Sequence, residues 1–223
     1  MALYHFSVRH VSRGKGQMVV ASAAYISGQR IFDSYYNKIH DYTSKSGVIF
    51  TEILTPEYVP ERLNDRETLW NEVEHVERNN KAQLAYSFDI ALQNELTLEE
   101  NIKLAKEFCQ EQFVARGMIV DLAVHEGKSD NEEEPDNPHF HVLVPIRPFT
   151  EEGIWGNKQR REYILDEDGN RVKDAKGKEM FNAVSTTGWN DPELLKDRES
   201  KWEISRVPHG SQNRPPFLQR TGD

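Results

Sequence analysis

The sequence predicts an α+β domain organised around a central, mainly antiparallel β-sheet with flanking helices. Three observations carry that expectation. Leu84, Tyr86, Phe88, Ile90 and Leu92 alternate with Gln83, Ala85, Ser87, Asp89 and Ala91, the period-2 pattern of a half-buried strand. Met118–His125 and His139–Ile146 are both strand-like and are joined by one short acidic loop, which favours an antiparallel pair. Helical segments are interleaved with the strands without an internal repeat.

Composition agrees. The chain has 223 residues, 37% of them hydrophobic and 10% aromatic, enough for one large domain with a real core. No run approaches the roughly 18 apolar residues of a membrane span, and MALYHFSVRH lacks the apolar segment of a secretory signal, so a cytoplasmic location is expected. Cys109 is the only cysteine, which excludes an internal disulfide and a multi-cysteine metal site. The formal charge of -9 argues against wholesale phosphate binding, but the charge is unevenly spread. Residues 1–48 carry six Lys or Arg against two Asp, and residues 126–136 carry six acids against Lys128. The first fifth of the chain is basic; one loop supplies five of the excess negative charges.

In chain order, residues 3–9 read as a strand, and the glycine-containing loop SRGKGQ leads into an alanine-rich helix over Met18–Arg30, which carries Tyr25. GVIFTEIL at 47–54 is a strand by its β-branched and aromatic content. Pro56 and Pro60 break the chain before an amphipathic helix over about Asn64–Arg78, with Asn64 as its cap. After the 83–92 strand, Thr97 and Glu100 form a capping box for a helix ending near Gly117. The two histidine-bearing strands follow and belong at the sheet's centre, with helices largely on one side. The domain is expected to span 1–196, with an irregular tail over 197–223.

The strand pair carries the chemistry. Asp121, Ala123 and His125 share one face of the first strand, and His139 and His141 share one face of the second. Antiparallel pairing across the acidic loop sets His125 beside His139, so three imidazoles converge. Neutral imidazole suits Zn²⁺, Mn²⁺, Co²⁺, Ni²⁺ or Cu²⁺, and three protein ligands leave positions for a substrate. Asp121, in phase on the same face, is positioned either to hold a histidine tautomer or to accept a proton. His5, His10, His40, His75 and His209 carry no such pattern.

Pro138-His139-Phe140-His141 in a strand, with His125 before it, resembles the histidine-hydrophobic-histidine motif of the HUH endonucleases. Tyr4-His5-Phe6, the stretch Ser22–Arg30, Ile90-Ala91-Leu92 with Glu95-Leu96, and GNKQRREYILDEDGN at 156–170 together look like the MobA/MobL family of plasmid-mobilisation relaxases, over residues 1 to about 196. The resemblance implies an HUH relaxase-like palm. It implies that Tyr25 attacks a phosphodiester of single-stranded DNA at an origin of transfer, giving a 5′-phosphotyrosine, while His125, His139 and His141 hold a divalent ion, Mn²⁺ or Mg²⁺ before Zn²⁺, Co²⁺ or Ni²⁺. Accessory relaxosome and coupling proteins are the implied partners. Tyr35 and Tyr36 are rival tyrosines.

Two departures from the family pattern stand out. Tyr86-Ser87 occupies the place where such proteins carry Arg-Glu, and Gln93 replaces a proline, so the family's glutamate is missing. Proton removal from Tyr25 then falls to Asp121, to Asp89 or to the environment of the ion, with Glu74 and Glu77 expected to face solvent. The Pro-rich VPHGSQNRPPFLQRTGD replaces the helices that normally follow. Phosphate contacts are expected from Arg9, Arg13, Lys15, Arg30, Lys158, Arg160 and Arg161, with Trp155 as a stacking surface. Two other readings stay open: a catalytically impaired remnant that binds metal and single-stranded DNA, and a replication initiator of the same superfamily.

Overall fold

The alternating 83–92 segment pairs along both of its edges and organises the sheet. The protein is described here from a computed structural model that covers residues 5–128, 136–189 and 191–205. Its elements run β1 (Phe6–Ser12), α1 (Val19–Ser27), β2 (Arg30–Asp33), β3 (Lys38–Asp41), β4 (Val48–Leu54), α2 (Arg66–Val76), β5 (Gln83–Ala91), α3 (Leu98–Gln112), β6 (Val120–His125), β7 (His139–Pro145), β8 (Gln159–Tyr163), β9 (Phe181–Ser185) and α4 (Pro192–Ser205). Five strands form the main sheet in the order β1-β5-β7-β6-β4, every neighbouring pair antiparallel. β7 lies at its centre with β6 beside it, as the pattern predicts. β2–β3 and β8–β9 form two separate hairpins.

Period 2 divides the sheet into two faces, and each buries its own core. Tyr86, Phe88, Ile90, Val120, Leu122, Val124, Phe140 and Val142 pack with Leu104, Phe108 and Cys109 of α3 and Trp202 of α4. On the opposite face Ala85, Ala123 and Leu143 pack with Val20, Ala23 and Ala24 of α1 and with Leu69, Trp70 and Val73 of α2. The helices are therefore shared between the faces rather than gathered on one. Alternation identifies which side chains share a face, and both faces here are apolar enough to need a cover. The alanines on the second face let α1 sit close to the strands, which positions its last turn over the histidines.

Local signals explain most element ends. The Thr97 side chain accepts from the Glu100 amide and the Glu100 carboxylate accepts from Thr97, completing the capping box that starts α3. Helix α1 stops at Ser27 because Gly28 adopts φ 64°, and the chain turns into β2 at Arg30, inside the segment expected to be helical. Helix α2 is capped by Asp65 rather than Asn64; the Asp65 carboxylate accepts from the Thr68 amide at 2.8 Å. Asn64 ends a short 3-10 turn instead.

The domain reaches past residue 196. Helix α4 runs to Ser205, and Trp202 is wholly buried with ring centroids 5.0 Å from both Phe108 and Phe140. Burial of one tryptophan stabilises by about 2–3 kcal/mol, too much for a loose tail. The expected edge at 196 moves accordingly, and residues 206–223 lie outside the described residues. Tyr4 and most of the acidic loop, residues 129–135, do so too. Among the described residues, no helix is long and apolar enough to cross a membrane.

Candidate active site

Strand register brings the three histidines together. His125 on β6 pairs directly with His139 on β7, and Ala123 pairs with His141, so all three side chains rise on the face covered by α1. Their ring centroids are 4.7–5.1 Å apart, and one nitrogen from each lies within 4.8 Å of the others. The donor set fits a divalent ion. His125 Nε2 stands 2.7 Å from the Ile26 carbonyl and His139 Nδ1 stands 2.8 Å from the Asn137 carbonyl. A carbonyl only accepts, so those nitrogens carry the hydrogens, leaving His125 Nδ1 and His139 Nε2 with free lone pairs.

The environment also favours the neutral form of His125 and of His141. Burial, with the charges of Lys45 and His139, pushes the His125 pKa down to about 4; burial, with His125, His139 and Lys45, pushes that of His141 down to about 3. The sign follows. The unfolded chain takes up protons on these rings near pH 6.5, whereas the folded chain resists until pH 3–4. Without metal, stability is fully present above pH 6.5 and is lost as pH falls toward 4. In EDTA, thermal melts from pH 7.5 to 4.5 are expected to show a falling Tm, and a His125→Gln, His141→Gln double variant a flatter dependence. Equal slopes would contradict this reading.

Tyr25 sits in the last turn of α1, half exposed at 49%. With His141, Asp89, Ser87, Ser7, Arg9 and Tyr42 it lines one open cleft of about 420 Å³. The helix residue and the strand histidine, far apart in sequence, thus share one cavity. Tyr35 and Tyr36 lie instead at the β2–β3 turn, where the Asp33 carboxylate accepts from both of their amides. They do not line the cleft.

The carboxylates sort differently from the expectation. Asp121 is fully buried; Arg66 holds it through Nε and Nη2 at 2.8–3.0 Å, and Trp70 Nε1 donates to it at 2.8 Å. It pairs across the sheet with Leu143, two residues beyond His141, and it is tied to α2 rather than lining the cleft, against the expectation that it accepts a proton there. Among the described residues, Asp89 is the carboxylate that lines the cleft, and it pairs directly with His141. Glu74 and Glu77 do not face solvent. Glu74 is wholly buried, bound by Arg13 at 2.6 Å and by the Val19 amide at 2.9 Å. Glu77 receives Arg147 at 3.0 Å and Lys158 at 2.9 Å.

The basic residues divide along the same lines. Arg9 is exposed on the cleft, Lys15 is exposed, and Arg30 is exposed with a 3.6 Å contact to Asp41. Arg13 is corrected to a structural role: it is buried, with donors spent on Glu74 and on the carbonyls of Glu77 and Asn79. Lys158 likewise serves Glu77 and the Gln83 carbonyl. Arg160 pairs with Glu162 at 2.7 Å, and Arg161 stands 4.6 Å over the Phe181 ring. Trp155 is partly buried against Phe149 and donates to Glu72 at 2.9 Å, which removes it as an open stacking surface.

Sequence reading missed Lys45. Its Nζ lies 3.7 Å from the Tyr25 ring centroid and donates to the Tyr25 carbonyl at 3.0 Å, and burial lowers its pKa. The one available signal was the turn chemistry of Asp41-Tyr42-Thr43 ahead of Gly47.

Residues 17–209 match the model of the MobA/MobL family. The chain is 35% identical over 202 residues to the conjugal transfer protein TraA of Agrobacterium fabrum, covering 85% of this chain and 18% of that protein. It is 36% identical over 174 residues to the probable mobilization protein MobA of Bifidobacterium longum, covering 77% of this chain and 30% of that one. The chain thus spans less than a third of the length of either relative. A solved structure described as the molecular basis of vancomycin resistance transfer in Staphylococcus aureus has a TM-score of 0.75 at 31% identity, covering 99% of this chain and 95% of that one.

Proposed function

Because the chain belongs to the MobA/MobL family, we propose that it is a relaxase, a DNA-nicking enzyme that cleaves and rejoins single-stranded DNA at an origin of transfer and so initiates conjugative mobilisation. One observation carries the reading: Tyr25 and His141 line the same cleft. In this reading, Tyr25 Oη forms a bond to phosphorus while the bond from phosphorus to the 3′-oxygen breaks, leaving a 5′-phosphotyrosine and a 3′-hydroxyl. The phenolic proton passes to Asp89, a carboxylate on the cleft, because Ser87 lacks the basicity and Asp121 is sequestered, and the leaving 3′-oxygen takes up a proton from water. Exposed Arg9 binds a neighbouring phosphate. One phosphoester replaces another, so rejoining is the same step run backwards.

A divalent ion on His125, His139 and His141 would neutralise charge on the phosphate oxygens and orient the phosphate. Three imidazoles favour Mn²⁺ over Mg²⁺, whose preferred donors are oxygens. Accessory relaxosome and coupling proteins complete the proposed setting. Incubating the chain with Mn²⁺ or Mg²⁺ and end-labelled oligonucleotides tiling a candidate origin is expected to yield a 3′-hydroxyl fragment and a protein-linked strand, both abolished by EDTA. Tight binding of metal and DNA with no cleavage of any tile would instead support the impaired remnant, the second reading that Ser87 favours.

A further inference from the structure

We propose that the loop between β3 and β4 clamps the nucleophile, with Lys45 as a positioning residue that holds the Tyr25 ring in place for attack. The inference rests on Tyr25 being the attacking residue. One ammonium touches both parts of that residue: it stands 3.7 Å from the ring centroid and donates to the backbone carbonyl at 3.0 Å. Tyr42, from the same loop, packs edge-on against the ring with centroids 5.3 Å apart and planes at 88°. Two contacts from one loop leave the phenol little rotational freedom.

The electrostatic part follows from where α1 ends. The carbonyls of its last turn have no partners within the helix, and together they present the negative end of the helix dipole to the cleft. That end disfavours an incoming phosphate. A helix normally offsets it with a basic residue in its last turn, and α1 has none. Lys45 supplies the missing positive charge from outside the helix. The same ammonium lies over the ring face, so one charge both offsets the helix end and holds the ring by a cation–π contact. Among the described residues, the other charged or titratable groups facing this space are Arg9 from β1, Tyr42 from the loop, Asp89 from β5 and His141 from β7, with His125 of β6 against the Ile26 carbonyl.

The loop is built to hold the ammonium still. Asp41 Oδ1 accepts from the Thr43 amide at 3.0 Å and from its hydroxyl at 2.7 Å, and the Lys45 amide donates to the Tyr42 carbonyl at 2.9 Å. The Tyr42 amide donates to the Gln29 carbonyl at 3.2 Å, tying the loop to the end of α1. Gly47 then leaves the turn at φ 81°.

The test reads Tyr25 without DNA. Motion of the Tyr25 ring is measured by NMR relaxation on ring-labelled tyrosine, with Tyr35 as the internal reference. Lys45→Met is expected to speed reorientation of the Tyr25 ring about fivefold relative to Tyr35, and Lys45→Arg to stay within about twofold of the parent. On a cleavable oligonucleotide, Lys45→Met is expected to lower the single-turnover rate about tenfold while DNA affinity changes less than about threefold. Tyr25 ring motion at the parent rate in both variants, each with an unchanged Tm, would overturn the clamp. Faster ring motion in Lys45→Met of a chain that never cleaves DNA would leave the clamp standing and overturn the relaxase reading, so the two failures are distinguishable.

Discussion

Tyr25→Phe is expected to abolish both cleavage and the covalent DNA adduct, a loss on the order of 10³-fold or more, because it deletes the attacking oxygen itself. Nothing else should fail. The ring keeps its contacts with Tyr42 and Lys45, the backbone of α1 keeps its carbonyl bonds to His125 and Lys45, and the histidine cluster is untouched. Affinity for Mn²⁺ and for single-stranded DNA should therefore remain within about twofold, since the hydroxyl adds one contact at most. Gel assays for cleavage beside titrations of metal and DNA check the split. Residual cleavage near the parent rate would reassign the nucleophile, with Tyr35 and Tyr36 the first alternatives. Their place at the β2–β3 turn, with Tyr35 held against Arg13 at 4.3 Å, argues against them.

Arg66→Met should be the most damaging substitution for stability. Arg66 and Asp121 form a bidentate pair with side-chain exposures of 8% and 0%, and Trp70 supplies the only other donor to the carboxylate among the described residues. Removing the guanidinium strands a buried negative charge, which costs about 3–5 kcal/mol. Denaturant melts should show that loss, and the Arg66→Met, Asp121→Leu double variant should recover most of it, because a well-packed apolar pair of similar volume is close to neutral. Absence of recovery would mean that the pair does more than balance its own charges. Arg66 also donates to the Gln29 side chain at 2.9 Å, linking α2 to the turn just after Tyr25. The single variant should therefore lose cleavage well below its melting temperature.

The same pair marks where reading the chain stops working. The histidine cluster was legible because strand periodicity and a short loop are local facts: His125 faces His139 for the reasons that make any hairpin pair. Periodicity also placed Asp121 on the histidine face, and that was right. What it cannot supply is the partner, because Arg66 lies 55 residues away and reaches Asp121 only when α2 folds over the sheet. Arg13 and Glu74 repeat the lesson at a separation of 61 residues. A basic residue in a basic segment looks like a phosphate contact until the fold buries it. The β2–β3 hairpin escaped notice because strands of four residues are too short to show a pattern. The reach of α4 past residue 196 depended on Trp202 finding Phe108 and Phe140, again a tertiary fact. Lys45 was counted as surface charge, since nothing local connects it to a tyrosine 20 residues earlier.

The central claim is that the tyrosine at the end of α1, beside the three histidines, becomes covalently joined to DNA. The direct measurement is to trap the cleaved complex in Mn²⁺, digest protein and DNA, and locate the nucleotide remnant by tandem mass spectrometry. The account predicts a nucleoside 5′-phosphate on the peptide containing Tyr25 and on no other. A remnant on Tyr35 or Tyr36, or cleaved DNA with no covalent protein, would contradict it.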